Sequence, residues 1–223
     1  MRRVTDTELV RNYCENHKGD IFDINYASEY IFKDIPHVNL RKIVSRLIES
    51  GLLRTISKGV YIIGETSLTD EEVVLNHYLH NDLGMETGSP TGQYLLFKEG
   101  FSDKEPEIKT IKTDHTKGNK NIGNVQIIES HSWFRTLTGN FTLATGMELL
   151  AAGYPEDPEK VAAYFNKVQY CLQNYTDLEF NSKVKDLYPA GVYYQLEQFL
   201  NSMQISHRVK ENYEIQVRLH SKK

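Results

Sequence analysis

Apolar positions in the first fifty residues fall into three runs with helical spacing. Leu9, Val10 and Tyr13 form the first stripe, behind a capping box made by Thr5 and Glu8 and ahead of a stop at Lys18-Gly19, which predicts a helix over 6–17. IFDINYASEYI reads as a short lead-in and a second helix over about 26–32, broken by Asp34-Ile35-Pro36. Leu40, Ile43, Val44, Leu47 and Ile48 give a third helix over about 39–50, ended by Gly51. The spacing then changes. LLRTI and GVYII are two short apolar-rich strands around Ser57-Lys58, a tight hairpin.

Past residue 64 the pattern is looser. Thr69-Asp70-Glu71-Glu72 is a capping-box start for a helix to about Asn81. The loop GMETGSPTG leads into a helix through Gln93–Glu99, closed by Gly100. Glu107–Thr113 and Asn124–Glu129 read as strands joined by the polar loop DHTKGNKNIG, which is too long for a two-residue turn. After Asn140 the signals are mainly helical. Asp157-Pro158 supplies an N-cap and first-turn proline for a helix to about Asn174, with two more helices over 177–187 and 190–203. Alternation of Tyr213, Ile215, Val217 and Leu219 suggests a terminal strand. The pattern predicts an α+β fold: a winged helix-turn-helix over 1–64, then a mixed, mainly helical C-terminal domain with a small sheet over 65–223.

Composition changes this picture little. Nothing approaches the roughly 18 unbroken apolar residues of a membrane span, and the N-terminus has no apolar signal region, so a cytoplasmic protein is expected. Cys14 and Cys171 each sit among helix-like residues and read as free thiols. The net charge of −4 conceals an asymmetry: residues 1–63 hold ten Lys/Arg against eight Asp/Glu, and the rest sixteen against twenty-two.

Placement of the basic residues carries more than their number. Arg41, Lys42, Ser45 and Arg46 fall opposite the apolar face of the third helix and form one exposed stripe. In a winged helix-turn-helix that helix enters the major groove of double-stranded DNA, where arginine can donate two hydrogen bonds to guanine. Asn39, near the helix start, is suited to adenine. Arg54 and Lys58 are expected to meet the phosphate backbone. A helix with a charged outer face is also what any solvated amphipathic helix shows, so a winged helix that binds protein remains a reading of the same pattern.

Catalysis is not expected. Asp114, His115, His131 and Ser132 include the residue types of a hydrolase triad but lack a GxSxG elbow, and they read as solvated loop residues. Gly88–Gly92 has the glycines of a phosphate loop without a following Gly-Lys-Ser/Thr. Asp177, Glu179 and Asp186 lack an acidic partner at metal-binding spacing. The eight histidines show no HxxxH or HExxH spacing, so neither cofactor nor metal is expected. The aromatic-rich stretch 154–199 reads either as core packing or as a surface for a second subunit or partner.

The run 40–63, LRKIVSRLIESGLLRTISKGVYII, resembles the antitoxins of AbiE-type (abortive-infection) toxin–antitoxin pairs in bacteria. The residues that carry the resemblance are Ser45-Arg46-Leu47, Gly51-Leu52-Leu53-Arg54 and Lys58-Gly59-Val60-Tyr61. Thr87-Gly88, Tyr94-Leu95-Leu96, Gly100-Phe101-Ser102 and the strand and turn Ile108–Asp114 extend it, over about residues 5–130. The resemblance implies a repressor of its own promoter that binds inverted repeats, and a homodimer would match the symmetry of such repeats. It also implies a nucleotidyltransferase-like toxin as functional partner, without a stable complex between the two. The alternative is a stand-alone winged-helix transcriptional regulator whose C-terminal domain dimerises or senses a ligand.

Overall fold

The structure is a computed structural model and describes residues 4–80, 87–130, 141–178, 180 and 188–211. It is a mixed α+β protein that divides into two compact units. The first unit comprises residues 1–89 and 111–129, the second 90–110 and 130–223.

In the first unit, α1 (Asp6–Asn16) starts where the sequence requires. The Thr5 hydroxyl accepts the Glu8 N–H, and Glu8 accepts the Thr5 N–H at 2.9 Å. Val10 and Cys14, four apart, are the side chains this helix buries. A three-residue strand follows, β1 (Ile21–Asp23), where the sequence shows only a lead-in. All three of its residues are buried, so it has no alternation to read. Asp23 ends it and caps the next helix, accepting from the N–H groups of Asn25 and Tyr26. That helix, α2, begins at Ile24, earlier than expected, and its α-helical turn (Ile24–Tyr26) widens into a π-helical turn over Ala27–Ile31. A π-turn has no hydrophobic period of its own to reveal it in sequence.

α3 (His37–Glu49) also begins earlier than expected, directly after Pro36. Leu40, Ile43, Val44 and Leu47 are buried, each contributing about 1.5–3 kcal/mol of apolar transfer free energy. The helix closes with Gly51 at φ +75°; the Gly51 N–H bonds Ile48 and the Leu52 N–H bonds Leu47. This left-handed closure is the geometry for which glycine is preferred. β2 (Leu53–Ser57) and β3 (Val60–Ile63) form the expected hairpin, and β1 joins it to make an antiparallel sheet in the order β1-β3-β2.

The first unit does not end at residue 64. α4 (Asp70–Leu79) opens on the predicted Thr69–Glu72 capping box and buries Val73, Val74 and Tyr78. A second sheet has the strand order β4-β5-β7-β6, with β4 at Gly88–Pro90, β5 at Lys109–Thr113, β6 at Lys120–Ile122 and β7 at Val125–Glu129. β4 and β6 lie in stretches that read as loops. The expected long connection between two strands therefore contains a third, and the turn from β6 to β7 is only Gly123-Asn124. The first unit reaches past the expected boundary because α4 packs on β1 and β7, and Asp23 and Asp20 bond side chains of α4.

The second unit is mainly helical. It contains α5 (Gly92–Lys98), α6 (Phe141–Ala152), α7 (Pro158–Leu172) and α8 (Ala190–Ser202). Its core joins Leu95, Leu96 and Phe101 to Met147, Leu150, Tyr164, Val168, Leu172, Leu196 and Leu200. The aromatic stretch divides: Tyr164, Tyr175, Phe180, Tyr193 and Phe199 are buried, whereas Tyr154, Phe165, Tyr170 and Tyr194 are exposed. Glu148, buried on α6, accepts the Thr91 and Tyr188 hydroxyls, each at 2.5 Å. The second half of the helix expected over 177–187, Trp133 and the strand expected over 213–219 lie outside the described residues.

Both cysteines are free and buried, Cys14 in the first unit and Cys171 in the second. Burial pushes their thiols up, to about 12 and about 11. Both are therefore protonated and poorly nucleophilic at neutral pH.

Among the described residues Gly88 is the tightest glycine. A Cβ there would lie 2.2 Å from the Tyr78 carbonyl oxygen and 2.9 Å from that of Lys112. Gly88→Ala is expected to lower unfolding stability by about 1–3 kcal/mol, because backbone must move to admit the methyl. Urea denaturation of the two proteins measures it.

Candidate nucleic-acid interface

The burial pattern of α3 turns its sequence into a surface. At 100° per residue the buried positions occupy one side. Val38, Lys42, Ser45 and Glu49 run along the centre of the other, flanked by Asn39 and Arg46 on one edge and Arg41 on the other. All seven are exposed. Among the described residues, no hydrogen bond or ion pair engages the side chains of Asn39, Arg41, Lys42, Ser45 or Arg46. Arg41 is close enough to Tyr61 of β3 to act on it: burial raises the Tyr61 phenol, and the Arg41 charge partly offsets the rise. The acid at the far end of the row, Glu49, confines favourable contact with an anion to the first three turns.

Lys58 stands exposed at the hairpin tip, in the two-residue turn Lys58-Gly59. Gly59 adopts φ +80°, and a Cβ on it would come within 3.2 Å of Ile24. The Gly59 carbonyl accepts the Ile24 N–H at 2.9 Å, so the tip is fixed to the start of α2. This places Lys58 on an anchored turn.

Arg54 is placed differently from the expectation of a backbone contact. It makes a two-pronged ion pair with Asp70, at 3.0 and 2.6 Å, that ties β2 to the first turn of α4. The pair lowers the Asp70 carboxyl and raises the Arg54 guanidinium relative to their ordinary values. An arginine satisfied by a carboxylate must give up that pair before it can bind a phosphate, so Arg54 is not counted in the candidate surface. Its partner is sixteen residues away in sequence, and no local pattern signals it.

Two aspartates tie the β1 segment to α4. Asp23 is 3% exposed. One of its oxygens caps α2, and the other accepts the Tyr78 hydroxyl at 3.1 Å and pairs with the Lys120 ammonium. Burial, with the nearby Asp23 charge, pushes the Tyr78 phenol well above its ordinary value, so it remains a donor. Asp20 accepts from His77 Nδ1 at 2.8 Å and from the Ile21 N–H at 2.7 Å. Burial works against its charge, but the His77 contact outweighs it and the carboxyl is lowered.

Sequence reasoning missed Lys117, which pairs with Glu29 of α2 at 3.1 Å across 88 residues of chain. It also missed the packing of His115, read as a solvated loop residue. His115 is half-buried, its ring 5.4 Å from Tyr26 and 6.0 Å from His77. His131 and Ser132 lie outside the described residues. Among those residues no group of three His, Cys, Asp or Glu could hold a metal ion, and no helix is long and apolar enough to cross a membrane.

The second unit offers a contrasting surface. A cavity of about 570 Å³ is lined by Asp103, Lys104, Glu105, Glu107, Glu156 and Asp157 among others. Two of the five carboxylates are paired, Glu105 with Lys109 and Asp103 with Lys160; the other three outnumber Lys104, so the lining remains unfavourable to a phosphate backbone. The candidate surface for nucleic acid is therefore the α3 face with the hairpin tip.

Two substitutions separate the buried support from the surface pair. Asp23→Ala leaves the largely enclosed Lys120 ammonium, 14% exposed, without its partner and is expected to cost about 3 kcal/mol of stability. Arg54→Ala breaks a pair whose members are each 54% exposed and is expected to cost less than about 1 kcal/mol. Thermal and urea unfolding check both. No protein-family model matches the chain, and no curated protein matches it.

Proposed function

We propose that residues 1–64 act as a winged helix-turn-helix that binds double-stranded DNA, and that the protein is an autorepressing antitoxin of the AbiE type. The observation that carries the DNA reading is α3. It follows two packed helices, precedes a hairpin within a sheet ordered β1-β3-β2, and turns Asn39, Arg41, Lys42, Ser45 and Arg46 outward. Such a helix fits the major groove, and Lys58 on the hairpin tip is suited to the neighbouring phosphate backbone. The antitoxin part rests on the resemblance over 40–63 and 87–114. The partner it supplies is a nucleotidyltransferase-like toxin encoded beside this gene. The mainly helical second unit then carries the neutralising role.

Gel-shift titration of the full chain on the region upstream of its own gene tests the DNA reading. Binding is expected to weaken steeply with salt, log K falling by about 0.9 per phosphate contact for each unit of log salt. Arg41→Ala or Arg46→Ala is expected to lose about 1–3 kcal/mol where the arginine meets a base. Wild-type affinity in both variants overturns the assignment of α3 as the reading helix. For the antitoxin role, co-expression with the adjacent nucleotidyltransferase-like gene is expected to restore growth. Absence of such a gene, or of rescue, refutes it.

A further inference from the structure

Val38 stands out on the face of α3 that the proposed function assigns to DNA. It lies in the first turn at the centre of the outer face and is 64% exposed. Leu40, Ile43, Val44 and Leu47 of the next three turns are buried, and Ile48, expected to face inward with them, lies at the edge of that face and is 37% exposed. Val38 is thus an apolar group set in a polar row, beside Asn39, three residues before Arg41 and four before Lys42. A β-branched residue is also not what helix formation prefers at a solvated position.

The major groove presents donors, acceptors and one apolar feature, the C5-methyl group of thymine. Resting on the DNA-binding reading, we propose that Val38 determines sequence specificity by packing on a thymine methyl in the base pairs met by the first turn of α3. Three features of the site favour this partner. Valine in a helix is held nearly in one rotamer, so its methyl groups are presented with little entropy to lose. Reading helices contact base edges mainly through their N-terminal residues, and Val38 is the second residue of α3. Asn39 next to it carries the amide that pairs in two bonds with adenine, so an A·T pair is favoured on both strands of the step. The cations Lys42 and Arg46, further along, supply affinity and contacts with guanine or phosphate.

The experiment selects binding sequences from a random-duplex pool with the full chain, then compares the selected duplex with copies in which single thymines are replaced by deoxyuridine. Deoxyuridine pairs identically and lacks only the methyl group. One such replacement is expected to weaken wild-type binding about three- to fivefold, the effect of uncovering one methyl group. Val38→Ala is expected to bind thymine and deoxyuridine duplexes equally. Val38→Ile keeps the preference, and Arg46→Ala weakens both duplexes alike while keeping it. Circular dichroism of Val38→Ala is expected to be unchanged, because the side chain is exposed. If the protein selects a sequence but no thymine shows the methyl effect, or if Val38→Ala retains it, the Val38 assignment is overturned and the DNA reading stands. If no duplex is selected at any salt concentration, the DNA reading itself fails, and the Val38 assignment with it.

Discussion

The buried carboxylate of Asp23 is the constraint on which the first unit depends. It sits where β1 hands over to α2, one oxygen capping the helix and the other bound to Tyr78 and Lys120. Those partners come from α4 and β6, 55 and 97 residues later in the chain. Burying a charged carboxylate is costly unless its lone pairs are satisfied, and here four groups do so. The same arrangement fixes the start of α2. The start of α2 in turn receives the hairpin tip, through the bond from Ile24 to Gly59. Helices α1, α2 and α3 and the first sheet share one apolar core around Phe22, Leu40 and Leu47. The outward face of α3 and the position of Lys58 are consequences of that packing.

Elements with strong local chemistry were legible in the sequence. α1 and α4 begin on capping boxes that occur as read, and α7 begins on the predicted Asp157-Pro158. α3 has an apolar period too regular to miss, and the hairpin has its turn residues. What escaped lacks a local signal. β1, β4 and β6 are three residues each, too short for alternation to stand out. The π-turn of α2 has no distinctive period. The reach of the first unit beyond residue 64 depends on pairs distant in sequence, such as Asp20 with His77 and Asn124 with Glu71.

The candidate site was legible to a similar degree and for the same reason. Asn39, Arg41, Lys42, Ser45 and Arg46 are exposed because a single periodic helix dictates it. The pairing of Arg54 with Asp70 was not legible, because Asp70 lies on another element. Val38 was passed over because the expected helix began at about residue 39 and left it outside. The two units also differ in character. The first presents cations on a helix face, whereas the second gathers carboxylates around a cavity and buries its own acid, Glu148, between two hydroxyl groups.

The central claim is that the outer face of α3 and the hairpin tip meet DNA. Backbone amide shifts of the isotope-labelled full chain, followed by NMR while a duplex is titrated in at low salt, test it most directly. The account predicts that the largest shifts fall on residues 37–46 and 57–59 and fade as salt is raised. Shifts confined to other residues, or none at concentrations where a duplex is bound, would contradict it.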